Sequence, residues 1–85
     1  IASPSSLACA LNGSVTVNLA AKGAEFIELH NLGRVIGTME GDKGAVSLSG
    51  AALGQGSVTV TPIAKLAKGE TVRGKPFTVL VGPSA

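Results

Sequence analysis

Residues 14–20 read SVTVNLA, in which Val15, Val17 and Leu19 alternate with Ser14, Thr16 and Asn18. A period of two puts one set of side chains on each face of an extended chain, the pattern of a half-buried β-strand. The alternation returns through Val46 and Leu48, and again through Val58 and Val60. Glycine-bearing breaks separate these runs: NG at 12–13, KG at 22–23, EGDKG at 40–44, GQG at 54–56 and AKGE at 67–70. No segment holds helical spacing with end caps over ten or more residues. The nearest, SSLACALNG at 5–13, is too short to outweigh the extended reading. A chain patterned this way buries its apolar faces by pairing short strands into sheets.

The runs can be placed in order. LACAL (7–11) is a first strand and NG the turn after it, followed by the alternating 14–20 segment. AEFIELHN (24–31) is a third strand, with Ile27 and Leu29 inward, Glu28 and His30 outward, and Phe26 partly covered. LGRVIGTM (32–39) returns after a turn at Gly33, so strands three and four form a hairpin. EGDKG is a polar turn, AVSLSG (45–50) a further strand, and AALGQG (51–56) a connection with Leu53 as a plug over the core. The stretch from Gly56 to Val81 is a hairpin turning at AKGE, with Phe77, Val79 and Val81 sharing a face. Gly74 and Pro76 mark a bulge or an edge in its second arm. About seven short strands at even spacing predict an all-β, two-sheet immunoglobulin-like sandwich, with a small barrel as the second architecture.

Eighty-five residues make one domain with a thin core, in which roughly 60–65% of the unfolded surface is buried. The lone Cys9 forms no internal disulfide, and among Leu7, Ala8, Ala10 and Leu11 it reads as a small buried hydrophobe. The ends are small, Ser- and Pro-bearing stretches. The expected organisation is a linker at 1–6, the sandwich at 7–81 and a linker at 82–85, as in one module of a multi-domain chain.

Composition narrows the function. The net charge is +2, and Trp and Tyr are absent, leaving Phe26 and Phe77 as the aromatic rings. Several phosphate contacts or a stacking platform would be needed for nucleic acid, so none is expected as a partner. No run is long enough to span a bilayer as a helix, so membrane insertion is not expected. The single His30 lies at a strand end with no nucleophile motif such as G-x-S-x-G in the chain, and reads as a surface histidine rather than a catalytic base. One His and one Cys do not make a transition-metal site. Glu40, Asp42 and Glu70 lie in glycine-bounded turns without EF-hand spacing and read as solvated acidic turns rather than calcium ligands. Neither a cofactor nor a metal is implied, and the chain does not read as an enzyme. The NGS triplet at 12–14 fits a glycosylation acceptor and, equally, Asn-Gly turn chemistry.

Lys65, Lys68, Arg73 and Lys75 gather around the last hairpin and are the candidate partner-binding residues. Alternate residues across a hairpin share a face, so several of these cations can form one patch for an anionic polymer. The simpler reading is a solvated face whose lysines discourage strand-to-strand aggregation.

The order of GRVIGT (33–38) and the later LGQGSVTVTPIAKLAKGETVRGKPFTV (53–79) resembles bacterial immunoglobulin-like domains of multi-domain secreted and cell-surface proteins. Gly33 to Thr38 match the first part of that pattern; Leu53, Gly56, Val60, Ala64 and Gly69 match the second. The chain has LAKGE (66–70) where the group often carries an aspartate-rich turn. It also lacks the Cys…Trp…Cys spacing and tyrosine corner of antibody-type domains. The resemblance implies a secreted or cell-surface location and a non-catalytic spacer or docking module. The alternative is a module that binds a protein or anionic polysaccharide through the basic hairpin or the end loops. A monomer is expected, with neighbouring domains of the same chain as its first partners.

Overall fold

A computed structural model describes residues 6–84. The linkers expected over 1–6 and 82–85 fall partly outside these residues. The described chain forms β1 (Ser6–Ala10), β2 (Ser14–Ala20), β3 (Ala24–Asn31), β4 (Arg34–Glu40), β5 (Lys43–Ser49), a helical turn α1 (Gly50–Leu53), β6 (Gly56–Leu66), a 3-10 turn (Ala67–Gly69), β7 (Thr71–Arg73) and β8 (Phe77–Gly82). One sheet has the order β1-β8-β6-β3-β4, with β7 also paired to β6; the other is the antiparallel pair β2-β5. The architecture is an all-β two-sheet sandwich. It has eight strands rather than seven because the last arm is broken into β7 and β8.

Alternation decides which side chains meet between the sheets. Val17 and Leu19 of β2 and Val46 and Leu48 of β5 face Ile27 and Leu29 of β3, Val58, Val60 and Ala64 of β6, and Phe77, Val79 and Val81 of β8. No polar or charged residue is buried among the described residues. Cys9 and Leu53 are half-buried and pack against this cluster. Two strands alone are marginal in water. The small sheet is therefore held chiefly by the apolar side chains it presses onto the larger one.

Several local expectations shift. The polar turn at 40–44 shrinks to Gly41 and Asp42, because β4 runs to Glu40 and β5 starts at Lys43. The connection after β5 contains α1, whose N-cap is Ser49: its hydroxyl accepts from the Ala52 N–H at 3.1 Å. β1 does not stay with its sequence neighbour β2. It runs parallel to β8, with Leu7 opposite Val79 and Cys9 opposite Val81.

The break in the last arm has a definite form. Ile63 pairs with Arg73 and Val60 with Phe77. Three steps along β6 are thus matched by four along the partner, so one extra residue bulges out at Gly74–Pro76. Arg73 and Phe77 have the same parity in sequence, yet the bulge sends Arg73 to the outer face and Phe77 into the core.

Candidate functional site

The outer face of the larger sheet carries the charged side chains singled out in the sequence. Cross-strand register builds it in rows. Glu40, Phe26, Lys65 and Thr71 line up across β4, β3, β6 and β7; Thr38, Glu28, Ile63 and Arg73 form the next row, and Val35, His30 and Thr61 a third. Ile63 is buried although it points away from the core. Flanked by Glu28 and Arg73, it gives this face an apolar floor.

The four candidate cations do not converge on one point. Lys65 and Arg73 share the outer face on adjacent strands, one row apart. Lys65 Nζ lies 4.0 Å from Glu28 Oε1, so its charge is partly answered within the sheet. Lys68 sits in the turn after β6 with φ 72°, followed by Gly69 at φ 79°, and Lys75 is exposed in the bulge. Arg73, Lys68 and Lys75 are all exposed. Glu70 follows Lys68 and Gly69 and closes that turn, its carbonyl accepting from the Leu66 N–H at 2.8 Å.

Sequence reasoning placed Glu28 and His30 on one face but not their link to Lys65. His30 Nε2 lies 3.1 Å from Glu28 Oε1, and both side chains are partly buried. The i, i+2 spacing in a strand signals the first contact. The second depends on the β3–β6 register, which only the folded sheet fixes. Glu28 thus lies against one candidate cation, Lys65, and against His30. Glu40 and Asp42 lie together near the β4–β5 turn, and Glu70 lies beyond β6. Among the described residues no group of three or more His, Cys, Asp or Glu is placed to hold a metal ion.

The comparisons with known proteins bear on this framework. Fibronectin(III)-like modules of Clostridium thermocellum CbhA superpose with a TM-score of 0.72 over 92% of this chain and 87% of theirs, at 17% identity. The fold is immunoglobulin-like. No protein-family model matches the chain, and no curated protein matches it. No helix among the described residues is long and apolar enough to cross a membrane. An identity of 17% carries the sandwich and its strand order and does not extend to the side chains of the outer face.

Proposed function

We propose that this chain is a non-catalytic immunoglobulin-like module of a larger secreted or surface protein, acting as a spacer or docking unit between neighbouring domains. The observation that carries this reading is the near end-to-end superposition on fibronectin(III)-like modules. The interior agrees with it: the buried side chains are apolar and serve packing. A stiff sandwich with an extent of 43 Å along its long axis sets a fixed distance between whatever is joined to its ends. Small-angle scattering on the native parent chain tests the reading. A spacer gives a chain whose maximum dimension falls by roughly the length of this module when the module is deleted, with the activity of the other domains retained. Loss of a catalytic step on deletion, restored by the isolated module, would overturn it.

A second reading has a specific observation behind it. Arg73, Lys68 and Lys75 are exposed cations on one arm of the sheet, where an acidic polysaccharide or an acidic protein surface can reach them. Reversing Lys68 and Arg73 to glutamate abolishes binding to a heparin-like polyanion if that arm is the binding surface, and leaves the fold intact. Unchanged binding, or none in the parent, sinks this second reading.

A further inference from the structure

The first and last strands of this fold lie side by side. β1 pairs with β8 in parallel, from Ser6 beside Thr78 to Ala10 beside Gly82. The sheet order leaves β1 with one hydrogen-bonded neighbour, whereas β8 is held on both sides, by β1 and by β6. The chain enters the pair at Ser6 and leaves it at Gly82, and these residues lie at opposite ends of it. Tension between the two ends of the chain therefore draws β1 and β8 past each other along their own length. An antiparallel pair would put entry and exit at the same end, and the same tension would unzip it.

The phase of the ladder fixes which groups carry that tension. The Leu11 N–H donates to the Gly82 carbonyl at 2.9 Å. Alternate residues of a strand turn their N–H and C=O to the same side. Leu7, Cys9 and Leu11 therefore direct their backbone groups at β8, and Ala8 and Ala10 direct theirs away. The Ala10 carbonyl agrees with this phase, because it accepts from the Gly13 N–H at 2.9 Å, in the turn and not in the ladder. Bonds sheared along the strands share the tension, whereas bonds opened from one end break one at a time.

Side chains add to the resistance. Leu7, Cys9 and Leu11 pack against the core. A slip of β1 by one residue would turn that face outward and bring its other face in. A slip that restores the pattern takes two residues, roughly 6–7 Å of sliding. β1 thus keeps its register until its bonds and its apolar contacts fail together. β8 has more to lose, because it is also bonded to β6, from Phe77 opposite Val60 to Val81 opposite Gly56. The β1–β8 pair is therefore the first point to yield along the path of the force.

We infer that the β1–β8 pair is a mechanical clamp, and that the module resists extension when tension is applied through its two ends. The inference deepens the spacer reading above, since a spacer under tension keeps its length only while its terminal strands do not slide. It is a property of the fold itself and needs no particular neighbour. What selects it is direction: the clamp is strong against end-to-end pulling and weak against a force that opens β1 from its Leu11 end.

The test is single-molecule force spectroscopy of the 85-residue chain. Forced unfolding reads the barrier rather than the equilibrium stability, so one protein pulled in two directions is its own control. The chain carrying Cys9→Ala and Gly13→Cys is tethered first by its two ends, then by position 13 and its C-terminal end. Position 13 has room for a side chain, because an added Cβ lies no nearer than 3.4 Å to its neighbours. It sits at the Leu11–Gly82 end of the pair, so the second geometry peels β1 away. The expected result is an unfolding force several-fold higher end to end than from position 13. In the end-to-end geometry Leu11→Pro removes a clamp donor and is expected to lower the force. Gly74→Pro removes a donor outside the clamp and is expected to leave the force near the unsubstituted value. Equal forces in the two directions would overturn the clamp, and so would a Leu11→Pro force no lower than that of Gly74→Pro. Either result leaves the spacer reading standing, because that reading is tested by the dimensions of the parent chain and not by force.

Discussion

The backbone N–H of Gly74 donates to the carbonyl of Pro62 at 2.8 Å, across the gap between β7 and β8. In an extended strand the N–H and C=O of one residue point to the same side. The nitrogen of Pro62, which has no hydrogen to give, therefore faces the bulge at Gly74–Pro76. A proline is otherwise excluded from an interior strand because it leaves a ladder bond unmade. Here the partner strand bows away at the position where the donor is missing. Pro62 stays fully buried, with Leu29 opposite it on β3.

This geometry separates two substitutions at Gly74. Gly74→Pro removes the donor and leaves a buried carbonyl without its partner, so stability falls by about 1–3 kcal/mol. Gly74→Ala keeps the N–H, and its loss stays below about 1 kcal/mol. Urea denaturation of the two variants checks this, and equal losses would exclude the Gly74–Pro62 bond as the cause.

Gly50 is required for space. A methyl group there would lie 2.2 Å from the Ala10 carbonyl oxygen and 2.9 Å from that of Leu11. Both are backbone atoms, so neither can swing aside. Gly50→Ala is expected to destabilise by about 2–4 kcal/mol and to loosen the β1–β2 turn against α1. Thermal unfolding together with hydrogen exchange at the Gly50 amide, which donates to Gly13, reads both effects.

Leu29 sits at the centre of the core, fully buried on β3 between Gly37 and Pro62. Leu29→Ala leaves a cavity and is expected to cost about 2–5 kcal/mol. For a domain this small that is a large share of total stability. Chemical denaturation should show a lower midpoint with an unchanged slope.

Lys68 occupies a left-handed conformation that suits Asn or Gly better than a long side chain. Lys68→Asn is expected to raise stability by about 0.5–1 kcal/mol while removing one exposed cation. A higher melting midpoint together with unchanged polyanion binding would take Lys68 out of the candidate surface.

The small local strands were readable from one sequence. β2 and β3 have the bounds that alternation assigned, Ser14–Ala20 and Ala24–Asn31. The inward set Val17, Ile27, Leu29, Val46, Leu48, Val58, Val60, Phe77, Val79 and Val81 follows from parity within each run. The hairpin at Gly33 follows from turn chemistry. Leu32, by contrast, reads as the apolar start of a strand. Its exposure emerges only because the β3–β4 register makes it a turn residue. The four cations were visible as a cluster in sequence, whereas the answer to Lys65 by Glu28 was not.

What the sequence determined by itself is what depends on neighbours a few residues away: the period of two, the breaks at glycine, and the absence of helical spacing. These fix strands, faces and the all-β class, because pleating and turn sterics act locally. The tertiary structure decided what depends on partners distant in the chain. It paired β1 with β8 rather than β2, switched the face of the last arm between Arg73 and Phe77, and set Glu28 beside Lys65. It also brought the charged turns around Lys22, Asp42 and Lys68 together at one end of the sandwich. Each of these turns on register between strands, and register is settled by burying all the apolar faces at once.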